Sequence, residues 1–304
     1  MRFWPTPREQ RRERGLALAL GGGGARGLAH VGVLAVLEEE RLPVACVAGT
    51  SAGAIVGAMW LTLGSTAAVE RRWRDFLASD FPKSLPDIKL ADDVSSRDST
   101  LLHFARTLQR GTTVALALGR RSLVEREDFA QALAFLLPDV QIEELSRPFA
   151  AVATDFFTGQ PVALRRGSLR LAVTASSSIP GVLPTCPWEG TALWDGGVVA
   201  DVPVRQAREL SRRPVVAVAV GDDPAEDDPE LVKVPRALLR AGQLTHAALR
   251  QELLHDADLV LRPAVGGVHW SEFTRFEECL AAGRQAAQAL LPQLRRLAEG
   301  RAGR

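Results

Sequence analysis

The sequence predicts an α/β fold built on parallel strands, and three observations carry that prediction. Leu16–Leu20 is a short apolar run that stops at four glycines, and Leu28, Val31, Leu34 and Leu37 follow at helical spacing. Residues 44–48 form a second buried run that leads at once into Ala52–Leu63, apolar without alternation, as suits a helix packed on a sheet. The same strand-then-helix order recurs later in the chain, which is the pattern of a parallel sheet covered by helices.

Taken in order, further strands are expected at 148–154, 161–164, 214–220 and 259–261. Helices are expected at 124–137, 169–176, 203–211, 235–256 and 276–299. Residues 1–14 carry five Arg and two Pro and read as a basic tail ahead of one unit covering 15–300. No fixed-period repeat and no Gly/Ser linker divides that unit. The region 70–130 is the least strand-like, and Val69, Trp73, Phe76 and Leu77 make an apolar stripe flanked by Arg71, Arg72 and Arg74. Such a stripe fits either a helical cap over a lipid-sized cleft, touching a membrane surface, or an ordinary amphipathic helix on the core. Residues 222–230 hold six acidic side chains and two prolines and read as a solvated loop.

Composition narrows the function classes. The 304 residues are 46% hydrophobic, enough for a sizeable core, and 37 Lys plus Arg face 36 Asp plus Glu for a net charge of +1. No overall field draws the protein to nucleic acid or to an anionic membrane. Tyrosine is absent, and the imidazole candidates are His30, His103, His246, His255 and His269. Cys46, Cys186 and Cys279 are odd in number and far apart, which fits a reducing, cytoplasmic compartment better than a disulfide framework. Residues 44–69 lack charge over a span-like length, yet their glycines, serines and threonines favour buried interior over a membrane crossing. The run after the basic tail is too short for a signal peptide core. With neither a Cys cluster nor His-Glu-x-x-His in the sequence, no metal and no other cofactor is expected.

The chemistry concentrates in three places. Gly49-Thr50-Ser51-Ala52-Gly53 is G-x-S-x-G between a strand and a helix. A serine on so sharp a turn needs flanking residues without a Cβ, and its hydroxyl then projects at a helix N-terminus. Ser51 is the candidate nucleophile. Gly21 to Gly27 reads G-G-G-G-A-R-G, again between strand and helix, and such a turn presents free amides to an anion. Gly22, Gly24 and Gly27 also satisfy the dinucleotide spacing G-x-G-x-x-G, but the next strand runs into Gly49-Thr50-Ser51 where an acidic residue is expected. An oxyanion hole made by Gly22, Gly23 and Gly24 is the better reading, with Arg26 supporting the turn. Asp195-Gly196-Gly197 is a tight turn whose carboxylate, partly desolvated, would take the serine proton.

Together the glycine loop Gly22 to Gly27, the Gly49 to Gly53 elbow and Asp195-Gly196-Gly197 resemble the patatin-like phospholipases, particularly bacterial members. Ala150 to Asp155, Thr158-Gly159 and the A-S-S-S-I-P-G segment from Ala175 to Gly181 add to the resemblance. It covers about residues 15–290 and implies a three-layer α/β/α sandwich with a mostly parallel central sheet. It also implies a Ser-Asp dyad without histidine, glycine-loop amides as oxyanion donors, and hydrolysis of phospholipid or lysophospholipid acyl esters. One departure is Ala200-Asp201, where related sequences often have Asn. Two other readings stay open: a Ser51-Asp195-histidine triad, with His269 the histidine to test, and a nucleotide-binding or regulatory module without turnover. His30 is expected to pack near the glycine loop without titrating.

Overall fold

The computed structural model describes residues 15–79, 122, 124–221 and 234–300. The basic tail 1–14, most of the 70–130 region and the acidic loop 222–230 lie outside the described residues. In chain order the elements are β1 (Leu16–Leu20), α1 (Ala29–Glu39), β2 (Val44–Thr50), α2 (Ala52–Leu63), α3 (Thr66–Ala78), α4 (Arg126–Leu136), β3 (Phe149–Asp155), β4 (Pro161–Leu164) and α5 (Leu169–Ser176). They continue with β5 (Cys186–Trp188), β6 (Thr191–Asp195), α6 (Val204–Leu210), β7 (Val215–Val218), α7 (Val234–His255), β8 (Leu259–Leu261), α8 (Phe276–Ala289) and α9 (Leu291–Ala298).

The alternation Leu-Ala-Leu-Ala-Leu in β1 sets the thickness of the two faces, because successive strand side chains point to opposite sides. Leu16, Leu18 and Leu20 join the larger core with residues of α1, α2, α3, α5 and α8. Ala17 and Ala19 face the other way, with Cys46, Ala48 and Ala217, so that Val204, Ala207 and Leu210 of α6 come close to the sheet. Helices therefore cover both faces of one mixed, largely parallel sheet, the expected three layers. The strand order is β5-β6-β3-β2-β1-β7-β8, with β4 on β3. β1, β2, β3, β7 and β8 are mutually parallel, while β4, β5 and β6 pair antiparallel.

One feature of the register positions the site. Ala151 and Val152 of β3 pair with β2 on one side and with β4 on the other. Ala153 and Thr154 pair with β4 and with β6. β6 thus takes up the side of β3 where β2 stops, with Thr50 opposite Val152 and Asp195 opposite the next residue, Ala153.

Two strands, β5 and β6, are additions to the expected set. β5 is only Cys-Pro-Trp, Glu189-Gly190 turns it back into β6 with both residues at positive φ (43° and 87°), and β6, Thr-Ala-Leu-Trp-Asp, does not alternate. The expected helix at 276–299 is two helices, broken at Leu290 ahead of Pro292, which cannot donate to the preceding turn. The apolar stripe of α3 faces inward: Val69, Trp73 and Phe76 are buried, Trp73 stacks on Phe273, and Phe76 meets Phe135 of α4. That is the amphipathic-helix reading of the stripe. Among the described residues no single helix is long and apolar enough to cross a membrane.

Candidate active site

Ser51 stands at the end of β2 with φ 52° and ψ −120°, a conformation that L-residues avoid, and α2 starts at the next residue. The elbow closes because a Cβ at Gly53 would lie 2.2 Å from the Leu20 carbonyl oxygen, and one at Gly49 would lie 2.6 Å from the Ala54 nitrogen. Gly53→Ala is accordingly expected to cost about 3 kcal/mol or more by overpacking, lowering the melting temperature by about 5 °C or more. Thermal unfolding checks this, and an unshifted transition would contradict the close approach.

Asp195 ends β6, next to Ser51 by the register already described. Gly196 makes the approach possible, since a Cβ there would sit 2.2 Å from the Val152 carbonyl oxygen and 3.1 Å from a Thr50 methyl. The carboxyl is buried; Oδ1 accepts from the Gly197 amide at 2.6 Å, and Oδ2 has no full hydrogen bond. Burial pushes Asp195 up to about 7; the Ser51 hydroxyl and the Gly197 amide pull it back, and the nearby Asp201 adds to the rise. The hydroxyl thus acts on the carboxyl without completing a close hydrogen bond, as is common for catalytic pairs without substrate. A carboxylate with this basicity is matched to taking a proton near neutral pH.

The A-S-S-S-I-P-G segment braces both partners. Ser176 Oγ accepts from the Ser51 amide at 2.9 Å and donates to the Val152 carbonyl at 2.6 Å, while the Ser178 carbonyl accepts from the Asp195 amide at 2.8 Å. Thr154 Oγ1 donates to the Asp195 carbonyl at 3.0 Å.

The glycine loop lies beside the elbow, with the Cβ position of Gly22 3.5 Å from that of Ser51. Its three candidate donors are not equivalent. The Gly22 amide donates to the Asp201 carbonyl at 2.9 Å, which takes it out of the donor set; among the described residues no carbonyl takes the amides of Gly23 or Gly24. Gly24 has φ 58°, and a Cβ there would meet the Trp270 carbonyl oxygen at 2.3 Å, so the residue type is dictated by both backbone and space. Arg26 donates through Nε to the Val268 carbonyl at 2.6 Å, tying the loop to residues 265–270.

The histidines fall into distinct roles. His30 is buried with Nε2 2.8 Å from the Gly21 carbonyl, and burial holds its imidazole down at about 4. His269 engages Ser271 Oγ at 2.7 Å. Among the described residues Asp195 Oδ2 has no hydrogen-bond partner, an imidazole included, whereas a Ser51-Asp195-His269 triad would put one on the carboxyl. His255 is exposed. His246 of α7 reaches the Gly197 carbonyl at 2.7 Å. Asp201 and Arg250, buried together at 3.6 Å, were not distinguished by any sequence pattern except the Ala200-Asp201 departure. Among the described residues no group of three His, Cys, Asp or Glu side chains is placed to hold a metal ion.

Comparison with known proteins identifies the family. The family model for patatin-like phospholipases matches residues 18–208. The chain is 33% identical over 214 residues to patatin-like phospholipase domain-containing protein 6 of Mus musculus, covering 70% of this chain and 14% of that protein. It is 29% identical over 213 residues to an NTE family protein of Mycobacterium bovis, covering 69% of this chain and 50% of that one. The chain therefore spans half or less of the length of these relatives. Among solved structures, VipD from Legionella pneumophila aligns with a TM-score of 0.47 and 15% identity over 94% of this chain and 67% of that chain. The ExoU–SpcU complex of Pseudomonas aeruginosa aligns with a TM-score of 0.44 and 17% identity over 93% of this chain and 52% of that chain. By its matched core, residues 18–208, this chain belongs to the patatin-like phospholipase family.

Proposed function

We propose that the chain is a serine acyl hydrolase of lipid carboxyl esters, with Ser51 as nucleophile, Asp195 as base and the amides of Gly23 and Gly24 as oxyanion donors. The observation that carries the reading is the meeting of Ser51 and Asp195 across one step of β3, the acid buried and raised to about 7. In the first step Ser51 Oγ attacks the ester carbonyl carbon while Asp195 takes its proton. The negative charge developing on the carbonyl oxygen is met by the two loop amides and by the N-terminus of α2. Asp195 then protonates the departing alcohol, leaving an acyl group on Ser51. Water, deprotonated by Asp195, attacks that acyl-enzyme and releases the fatty acid.

The substrates that suit this site are phospholipids or lysophospholipids, reached through transient contact with a membrane surface. A cytoplasmic location goes with three free, buried thiols, of which burial pushes Cys46 up to about 12 and Cys279 to about 11. The test is covalent labelling: a fluorophosphonate probe is expected to modify Ser51 alone among the serines, read by peptide mass spectrometry. Labelling of another serine, or of none, refutes the reading.

A further inference from the structure

Asp201, His246 and Arg250 lie outside the reaction just described, yet they surround the segment that carries its base. From Gly197 to Asp201 the chain is held at four points, two of them by α7. His246 Nε2 lies 2.7 Å from the Gly197 carbonyl. Thr50 Oγ1, from the residue before the nucleophile, donates to the Ala200 carbonyl at 2.8 Å. The Gly22 amide donates to the Asp201 carbonyl at 2.9 Å. Arg250 Nη1 stands 3.6 Å from Asp201 Oδ2, the guanidinium only 2% and the carboxyl 7% exposed. His246 and Arg250 are one helical turn apart and therefore share a face of α7. The other oxygen of Asp201 faces the glycine loop, 3.2 Å from the Cβ position of Gly22, and Oδ2 lies 3.4 Å from that of Gly221.

We infer that His246 and Arg250 are positioning residues which, through Gly197 and Asp201, set the catalytic acid and the oxyanion loop as one unit. The inference rests on the function proposed above and adds residues to it. The physical reason is that a buried carboxylate beside a buried guanidinium has little freedom to relax, so each fixes the other. Asp201 joins the two halves of the site, because its carbonyl takes up the Gly22 amide while its chain neighbours continue from the Asp195 turn. It is also a charge beside Asp195, and the groups facing Asp201 itself are His246 and Arg250.

Four variants assayed on a soluble nitrophenyl ester test this, with folding followed by circular dichroism. Arg250→Met strands the Asp201 charge and is expected to lower kcat by roughly 10- to 100-fold with KM little changed, the range that loss of an orienting partner costs. Adding Asp201→Asn to that variant is expected to recover kcat by about tenfold, which a packing role for Arg250 would not allow, since the second substitution would only subtract further. Asp201→Asn alone is expected to move the acid limb of kcat/KM to lower pH, because it removes a negative neighbour of Asp195. His246→Phe is expected to lower kcat about tenfold, and His246→Gln, whose amide can still donate to Gly197, to keep most of it. This last pair carries the test if Arg250→Met does not fold. Unshifted pH limbs, no recovery in the double variant and equal rates for the two His246 variants would overturn the inference. A wild-type protein that labels at Ser51 while showing those results sinks only this inference. One that neither labels nor hydrolyses the ester sinks the proposed function with it.

Discussion

Replacing Ser51 by Ala is expected to reduce ester hydrolysis by at least about 10⁴-fold while leaving the fold intact, because the other elbow hydroxyl, that of Thr50, is committed to the Ala200 carbonyl. Loss of a nucleophile in a unit of this kind removes nearly all covalent catalysis, and what survives comes from the oxyanion donors and substrate binding. The substitution removes only a hydroxyl, and the Ser51 amide keeps its bond to Ser176 Oγ. The backbone strain at φ 52° is shared by alanine, so stability should change by well under about 1 kcal/mol. Initial rates on a short-chain nitrophenyl ester, with thermal unfolding alongside, check both halves. Retained hydrolysis at even a hundredth of the wild-type rate would place the nucleophile elsewhere.

The second large effect belongs to Asp195→Asn, which is expected to abolish turnover and, at neutral to alkaline pH, to stabilise the protein. Wild-type activity should rise with pH through about 7, where the buried acid loses its proton and becomes able to accept one from Ser51. Stability runs the other way. The carboxyl titrates at about 7 in the fold against its ordinary 3.8, so between those values the folded state holds the extra proton and stability falls as pH rises. Above pH 7 the wild type carries the whole cost of a buried charge, about 4 kcal/mol. Asparagine carries none. The stability difference between variant and wild type should therefore be smallest below about pH 4 and grow to a plateau above pH 7. A difference that does not change with pH would mean that Asp195 is not held in the protonated form by burial.

How much of this was legible in the sequence follows from the kind of signal each part leaves. The parallel core was legible because β1, β2 and their helices are long apolar runs punctuated by glycines, and such runs report burial directly. The elbow and the Asp195 turn were legible because their glycines answer to steric demands of neighbouring backbone, as Gly53 and Gly196 illustrate. β5 and β6 were not, since Pro187 interrupts the one and the other, Thr-Ala-Leu-Trp-Asp, neither alternates nor stays apolar to its ends. The unequal roles of Gly22, Gly23 and Gly24 were equally hidden. Only the position of the Asp201 carbonyl, 179 residues further on, decides which amide is taken. His246 shows the same limit: its helical spacing was plain, but which face of α7 meets residue 197 is a matter of tertiary packing. The stripe of α3 was correctly seen and had two readings, which its contacts with Phe273 and Phe135 decide.

The position of His246 and Arg250 so late in the chain has a bearing on biosynthesis. A ribosome-bound polypeptide that has emerged as far as the elbow carries the serine hydroxyl but has neither the acid from β6 nor the support from α7. Under the proposed mechanism the dyad and its support therefore come together only once α7 has also left the exit tunnel and packed. A chain that ends before β6 would carry the proposed nucleophile without its base.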